Sequence, residues 1–207
     1  MKKKKDVVYI ENSMEREAQQ QSTDAHLVEQ AIGGDRAAFD ALMRKHMGAC
    51  YRIARRFGVP PEDAADIVQD AFLAAYRALH RFNFAYSFST WITRILVNRL
   101  SNFRRNLKRA RNVFWRQPDE AHGESVFEKT TEIDPHMETE QSELASAIEK
   151  ALQKLSLNQR TAFILFEIEG FKIREIAAIL DIPEGTVTSR LHHARLEMRR
   201  LLDRTLR

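Results

Sequence analysis

The chain has 207 residues, of which 43% are apolar and 30% charged, so it can bury a core and is neither fibrous nor wholly disordered. Seven glycines and five prolines are too few for the turns of a β-sandwich or barrel, and the composition favours helix. A single cysteine excludes an internal disulfide framework, and no apolar run approaches the roughly 18 residues that cross a bilayer. We therefore expect a cytoplasmic protein that does not insert into a membrane.

The first 24 residues are interpreted as a disordered polar tail. The start, Met1-Lys2-Lys3-Lys4-Lys5, is positive, but no apolar segment follows it, so we expect no secretory signal. Helical periodicity dominates residues 25–110. Asp35 is the predicted N-cap of one helix. Pro61 and the two carboxylates after it predict the start of another.

The helix that starts at Pro61 has an apolar side and an acidic side. Its outward residues place a leucine among carboxylates, a pattern typical of a docking patch for a basic partner protein. Charged outward faces are also common on helices that bind nothing. The candidate docking residues are Asp66, Gln69, Asp70 and Leu73.

Residues 82–91 are rich in aromatic side chains. The alternation of rings imitates a strand, but both flanks are strongly helical, and we predict a loop. Phe82, Phe88 and Trp91 are expected in the core, whereas Phe84 and Tyr86 could be exposed at the loop tip. Aromatic rings beside a basic helix are typical of sites that hold unstacked bases, although for any one ring a structural role is the simpler interpretation.

A helix predicted from about Ser89 to Ala110 carries a basic stripe. Residues 94–116 contain eight basic side chains and no acidic one. Such a stripe, backed by an apolar stripe, indicates contact with nucleic acid; the alternative is a solvated face. The stripe consists of Arg94, Asn98, Ser101, Arg105 and Lys108.

Residues 117–143 are interpreted as an acidic flexible linker. Periodicity fades there, and residues 117–146 hold nine acids against one lysine. Helical periodicity returns from residue 144, with a capping box predicted at Ser156 and Gln159.

The C-terminal pattern predicts a helix-turn-helix with Asp181-Ile182-Pro183 as its turn. The second helix has an apolar stripe from Val187 to Leu201 and an opposite face that is small, polar at its start and flanked by arginines. That combination is typical of a helix that reads the major groove; an ordinary helical hairpin is the alternative. His192 and His193 point about 100° apart and lack partners at ligand spacing, so no metal site is predicted. The outward face holds Gly185, Ser189, His192, His193 and Leu196, with Arg190 and Arg195 on its flanks.

The predicted fold is therefore all-α, with two helical domains joined by an acidic flexible linker. The boundaries are 1–24 for the tail, 25–116 and 144–207 for the domains, and 117–143 for the linker.

Four motifs in order resemble the extracytoplasmic-function (ECF) sigma factors of bacterial RNA polymerase over residues 25–110 and 144–204, and Gly34–Phe39 fits as well. The motifs are Asp66-Ile67-Val68-Gln69-Asp70-Ala71-Phe72, Ser89-Thr90-Trp91-Ile92, Ile95-Leu96-Val97-Asn98 and Glu184-Gly185-Thr186-Val187-Thr188-Ser189-Arg190-Leu191.

The resemblance implies that the first domain is sigma region 2 and the last is sigma region 4. It implies that Asp66, Gln69, Asp70 and Leu73 dock on the coiled coil of the core polymerase β′ clamp. Contacts to the −10 promoter element would come from Asn83, Phe84, Tyr86, Trp91, Arg94, Asn98, Ser101, Arg105 and Lys108. Contacts to the −35 element would come from Gly185, Thr188, Ser189, Arg190, His192, His193 and Arg195.

Two further expectations follow from the resemblance. The acidic linker would thread into polymerase channels, and an anti-sigma factor, membrane-linked or soluble, would hold the protein inactive. Thr188 and His193 stand where many family members carry arginine, which leaves the promoter sequence open.

Three other classes of function fit the sequence less well. A stand-alone operator-binding regulator explains the helix-turn-helix but leaves the aromatic loop, acidic face and basic helix unexplained. An adaptor that makes only protein contacts is disfavoured by the acid-free basic helix. An enzyme is not expected, because the sequence has no Gly-rich phosphate loop, zinc-protease motif or nucleophile elbow, and no cofactor is predicted.

Overall fold

The computed structural model describes residues 23–114 and 140–205, with side chains described for 23–106 and 146–203. Within these ranges the chain is helical and contains no strand, as the composition predicted. Residues 1–22 and 115–139, which include most of the predicted tail and linker, lie outside the described residues. The helices are α1 (23–32), α2 (Arg36–Arg56), α3 (Pro61–Ala78), α4 (Phe88–Phe114), α5 (Glu140–Lys154), α6 (Leu157–Phe163), α7 (Ile173–Leu180) and α8 (Glu184–Thr205).

Helices α1–α4 form an N-terminal bundle in which α2, α3 and α4 pack against one another. Asp35 begins α2 as predicted, because its Oδ1 accepts a hydrogen bond from the Ala37 N–H at 2.8 Å. Pro61 occupies the first turn of α3, where its missing N–H leaves no helix bond unmade. Burying each large apolar side chain contributes about 1.5–3 kcal/mol to folding. The buried centre includes Leu42, Ile53, Phe57, Phe72, Ile92, Leu96 and Leu100.

Helix α1 includes residues 23 and 24, which the sequence had assigned to the tail. The cause of the difference is Asp24, whose Oδ1 lies 2.5 Å from Nζ of Lys45 and whose Oδ2 lies 2.9 Å from Nε2 of His46. A carboxylate that is only 3% exposed needs such partners. Asp24 therefore fixes the start of α1 on α2.

Helices α5–α8 form a C-terminal bundle, in which α8 packs against α5, α6 and α7. Helix α5 begins at Glu140, within the segment predicted as linker. The predicted capping box of Ser156 and Gln159 is present at the start of α6. The buried Arg160 guanidinium donates to Oε1 of Gln153 at 2.7 Å and to the Gln153 carbonyl, which closes the end of α5. Burial, together with the nearby charge of Arg104, lowers the pKa of Arg160 to about 10.

A π-helical turn, Ile164–Ile168, joins α6 to the loop before α7. Its hydrogen-bond pattern is visible where the Glu169 N–H donates to the carbonyl of Ile164, five residues earlier, at 3.0 Å. Gly170 then turns the chain with φ of 75°, a conformation that glycine adopts without strain. Because the π turn is wider than an α turn, it determines where Glu169, the residue after it, lies relative to α6.

The predicted helix-turn-helix is formed by α7, the turn and α8. Asp181 ends α7 in the left-handed region, with φ of 56° and ψ of 50°, which aspartate tolerates better than most residues. On α7 the buried residues are Ile176 and Ile179. The apolar stripe predicted for α8 is buried at all five positions, Val187, Leu191, Ala194, Met198 and Leu201.

The two bundles are in contact through α4 and α7. Buried apolar side chains of both bundles belong to one continuous cluster. The contact places the helix-turn-helix beside the basic helix of the N-terminal bundle.

Candidate nucleic-acid and partner surfaces

The acidic face of α3 is on the surface. Its buried side keeps the helix fixed in the bundle, and the outward residues have no role in the core. Leu73 is 46% exposed among carboxylates, an arrangement suited to a partner that combines apolar and basic side chains. All four candidate docking residues, Asp66, Gln69, Asp70 and Leu73, are exposed.

Tyr76 adds a ring to this surface that the sequence analysis did not select. It is 44% exposed, lies three residues after Leu73, and packs edge-on against Phe39 of α2 with ring centroids 4.9 Å apart. The spacing to Leu73 is the signal that could have found it. Together Leu73 and Tyr76 give the acidic face an apolar part.

Four of the five rings of the aromatic loop are buried or exposed as predicted, and Trp91, which was expected in the core, is only partly buried. Phe82 and Phe88 are buried, whereas Phe84 is 50% and Tyr86 39% exposed. Trp91 is half-buried, and its ring centroid lies 5.4 Å from that of Phe82. Trp91 therefore packs against the buried ring at the start of the loop.

Asn83 shapes the loop tip. Its Oδ1 accepts a hydrogen bond from the Ala85 N–H at 2.9 Å, and its carbonyl accepts one from the Tyr86 N–H at 3.1 Å. This turn holds Phe84 and Tyr86 outward. Ser87 then caps α4, because its Oγ accepts from the Thr90 N–H at 3.1 Å.

The basic stripe of α4 is aligned on one side of the helix. Arg94, Asn98 and Arg105 are exposed, and Ser101 between them is half-buried. Lys108 lies on α4 but outside the residues whose side chains are described. The stripe starts next to the exposed rings of the loop, so a single strand could stack on the rings and run along the stripe.

The stripe has an acidic neighbour from the other bundle. Nη2 of Arg94 lies 3.5 Å from Oδ1 of Asp181, in the turn of the helix-turn-helix. The sequence could not reveal this pair, because the two residues belong to different predicted domains and share no periodic pattern. The basic stripe of α4, which carries no acidic side chain itself, thus has a carboxylate beside its first arginine.

The outward face of α8 is exposed at the N-terminal end of the helix. The burial of the opposite stripe fixes the rotation of the helix, so the small and polar side chains point away from the bundle. Arg190 is half-buried, consistent with a flank position. The exposed candidates are Gly185, Thr188, Ser189, His192, His193 and Arg195.

Arg195 is held by the π-helical turn. Its Nε donates to Oε1 of Glu167 at 2.6 Å, and its guanidinium carbon lies 5.3 Å from the centroid of the Phe166 ring. Glu167 was not selected from the sequence. Its carboxylate pairs with the charge of Arg195.

No three His, Cys, Asp or Glu side chains in the described part of the chain are grouped so that they could hold a metal ion. Across residues 23–114 and 140–205, no helix combines the length and apolarity that spanning a membrane requires.

Comparison with protein families gives two matches. A family model described as Sigma-70 region 2 matches residues 42–110, which lie in the N-terminal bundle. A second, described as Sigma-70, region 4, matches residues 145–198 of the C-terminal bundle. The two matches together cover more than half of the chain.

Individual proteins give the same result. The chain is similar to the ECF RNA polymerase sigma factor SigM of Mycobacterium tuberculosis, with 36% identity over 180 residues that cover 87% of this chain and 85% of SigM. The fold is similar to CnrH in complex with the cytosolic domain of CnrY, with TM-score 0.64, 28% identity, and coverage of 87% of this chain and 97% of CnrH. It is also similar to the sigma factor RpoE in complex with the anti-sigma factor NepR from Bartonella quintana, with TM-score 0.61, 25% identity, and coverage of 80% and 96%.

Proposed function

The chain belongs to the ECF sigma factors, and from that premise we propose which of its surfaces carry out promoter recognition. As a member of this family it is a transcription initiation factor rather than an enzyme, and it acts with core RNA polymerase on promoter DNA. We assign polymerase binding to the acidic face of α3, recognition and melting of the −10 element to the aromatic loop and the basic stripe, and recognition of the −35 element to α8.

The observation that carries this assignment is the juxtaposition of exposed rings and the basic stripe. Phe84 and Tyr86 are held outward by the Asn83 turn, directly before the helix that bears Arg94, Asn98 and Arg105. Melting needs sites for unstacked bases and cations for the phosphates beside them, and these two features supply both. Duplex reading by α8 needs only a narrow face with short side chains, which that helix has.

The division of labour gives a bipartite mechanism. Each DNA contact is small and would be weak alone. Polymerase that holds both regions at one spacing makes the second contact intramolecular, which raises its effective concentration. The acidic α3 face serves this purpose by docking on the β′ clamp coiled coil.

Two further aspects belong to the proposal. We propose control by an anti-sigma factor, supported by the similarity to RpoE, which forms a complex with the anti-sigma factor NepR. We also assign the protein to the cytoplasm, where core polymerase and promoter DNA are found.

Run-off transcription tests the proposed function. Purified core polymerase is given a pool of genomic promoter fragments, with and without the full-length protein. We expect new transcripts that start at a fixed distance from shared upstream elements, which also yields the promoter sequence. An absence of new transcripts, together with tight binding of the protein alone to duplex DNA, would support an operator-binding regulator instead.

A further inference from the structure

Thr188 lies on the exposed side of α8, in the part of the helix that we assign to the −35 element. Its Oγ1 donates a hydrogen bond to the backbone carbonyl of Glu184, one helical turn earlier, at 3.1 Å. Threonine side chains within helices can form this bond because the hydroxyl reaches the carbonyl four residues back. The single hydroxyl proton of Thr188 is therefore used inside the helix.

The bond to Glu184 limits what Thr188 can offer to a base pair. A β-branched side chain has few rotamers in a helix, and the bond selects one in which Oγ1 points back towards the preceding turn. Donation to N7 or O6 of guanine, or to O4 of thymine, would require that this bond be broken. The methyl group is the branch of the side chain that does not face the backbone, so Thr188 presents an apolar group at a fixed position.

Gly185 keeps the surface beside Thr188 open. Residues three apart are neighbours on a helix surface, and both of these residues are exposed. Glycine weakens a helix relative to alanine. A Cβ at position 185 would nevertheless meet nothing in the described structure within 4 Å, apart from its chain neighbours and the backbone of its own helix. Packing therefore does not account for glycine here, whereas the close approach of a base edge to Thr188 does.

An apolar group at the floor of the major groove is a mark of thymine. Thymine carries a C5 methyl group there, and the threonine methyl group is one of the side-chain groups that contact it. The other three bases offer hydrogen-bonding groups but no methyl group at this edge. Contact between the two methyl groups removes both from water, which favours binding in proportion to the apolar area that is buried.

We propose that Thr188 reads a thymine of the −35 element through its methyl group, while the Glu184 carbonyl holds its hydroxyl. The inference rests on the proposed function of α8 and gives one position of the −35 element a defined base. Thr188 thus selects by apolar contact, in contrast to Ser189 beside it, whose side chain can read a base only through its hydroxyl.

Binding to DNA that contains deoxyuridine tests the methyl contact. The preferred −35 sequence is first selected from a randomised library with holoenzyme reconstituted from core polymerase and the full-length protein. Each thymine of the selected element, on either strand, is then replaced in turn by deoxyuridine, which lacks only the C5 methyl group. Competition binding measures the affinity of the holoenzyme for each duplex.

Three variants identify the group of Thr188 that is read. Thr188→Ser removes the methyl group and keeps the hydroxyl. Thr188→Val keeps the methyl group and replaces the hydroxyl with a second one. Thr23→Ser removes a methyl group from an exposed threonine of the N-terminal bundle and is the matched control.

We expect deoxyuridine at one position to weaken binding of the wild type about fourfold, the effect of one methyl group left out of the contact. Thr188→Val and Thr23→Ser should show the same loss at that position, whereas Thr188→Ser should bind the thymine and deoxyuridine duplexes equally. A loss that persists in Thr188→Ser overturns the proposal, because another side chain then makes the contact. A loss of discrimination in Thr188→Val overturns it as well, because the hydroxyl is then required.

The selection step separates this inference from the proposed function. If no −35 preference emerges with the wild-type holoenzyme, the proposed function of α8 fails and the inference fails with it. If a preference emerges but the element has no thymine, or the wild type binds every deoxyuridine duplex as well as the thymine duplex, the assignment of α8 stands. In that case Thr188 does not read a thymine methyl group, and the inference alone is overturned.

Discussion

Asp24 and His46, 22 residues apart in the chain, form a buried pair in which Oδ2 of Asp24 lies 2.9 Å from Nε2 of His46. The Asp24 side chain is 5% exposed and His46 9%. Lys45 completes the site at 2.5 Å from the other carboxylate oxygen. This contact attaches α1 to α2.

The Asp24 site should make part of the free energy of unfolding sensitive to acid. Burial acts to raise the pKa of Asp24, but hydrogen bonds from His46 and Lys45 and their charges outweigh it, and the pKa is lowered from 3.8. Because the pKa of Asp24 is lower in the folded protein than in the unfolded chain, the ionised carboxylate stabilises the fold above pH 3.8. This stabilisation is lost as the pH falls through the folded-state pKa of Asp24.

We therefore expect Asp24→Asn to lower the free energy of unfolding by about 1–3 kcal/mol at neutral pH. The difference in the free energy of unfolding between the variant and the wild type should become smaller below pH 3.8. Denaturant unfolding across a pH series measures it. Asp35→Asn is the control, because asparagine also caps helices well and Asp35 is exposed. A gap that stays constant down to strongly acidic pH would contradict the assignment.

Reversing charge at Asp66 and Asp70 should abolish binding to core polymerase. Both residues are exposed, so the fold should be retained and only the electrostatic match with a basic partner lost. The measurement is affinity for core polymerase in a pull-down or fluorescence titration. Asp40→Lys with Asp203→Lys, both exposed, gives the same change in net charge elsewhere. Retained affinity in the Asp66→Lys, Asp70→Lys protein would refute the docking assignment.

Alanine at Asn98 and Arg105 should block promoter opening without loss of polymerase binding. The two exposed side chains lie on the basic stripe, where the melted strand is proposed to run. Permanganate reactivity of unpaired thymines measures the open complex. Arg99→Ala removes an exposed arginine about 100° away from Asn98 on the same helix and should open promoters normally. Unchanged open-complex yield in the double variant would contradict the proposal.

Changes on α8 should separate base reading from phosphate binding. Replacing Ser189 and His192 with alanine should alter the preferred −35 sequence, with about 1–3 kcal/mol of discrimination lost at the affected base pairs. Arg190→Ala should instead weaken binding nearly uniformly across sequences. Selection from a randomised −35 library with reconstituted holoenzyme measures both. An identical preference in the Ser189→Ala, His192→Ala protein would remove those residues from base readout.

Releasing Arg195 should strengthen contact with duplex DNA. Glu167→Gln removes the carboxylate 2.6 Å from Nε of Arg195 and leaves the arginine charge for phosphate. We expect a several-fold gain in affinity for a −35 duplex and a salt dependence steeper by about one ion. Glu197→Gln, which acts on Arg200 instead, is the control. Equal affinity and equal salt dependence in Glu167→Gln and wild type would show that Arg195 does not contact the backbone.

Much of the fold could be predicted from residues that are close to one another in the chain. The Asp35 cap, the Pro61 helix start, the Ser156–Gln159 box and the five-residue stripe of α8 all depend on neighbours within one or two turns, and the structure confirms each. The separation of buried Phe82 and Phe88 from exposed Phe84 and Tyr86 was predicted as well. The roles proposed for the exposed residues remain predictions.

What the sequence did not reveal depends on contacts across long separations. Asp24 looked like part of a polar tail, because nothing near it in the chain shows that Lys45 and His46 will surround it. Glu169 lies 113 residues from Arg56, whose guanidinium donates to Oε1 of Glu169. A carboxylate beside a glycine gives no sign that its side chain will be only 9% exposed. Such pairs arise only when two separately predicted units are placed against each other.

The π-helical turn before Glu169 offers a way to follow the Arg56–Glu169 pair through related proteins. A π turn accommodates one residue more than an α turn, so a relative with one residue fewer between the positions of Ile164 and Ile168 would present the next side chain rotated by about 100°. Its carboxylate would then point away from the arginine even if both residues were retained. The length of this five-residue stretch therefore decides whether the carboxylate can meet the arginine, and aligned identity at Arg56 and Glu169 alone would misjudge it.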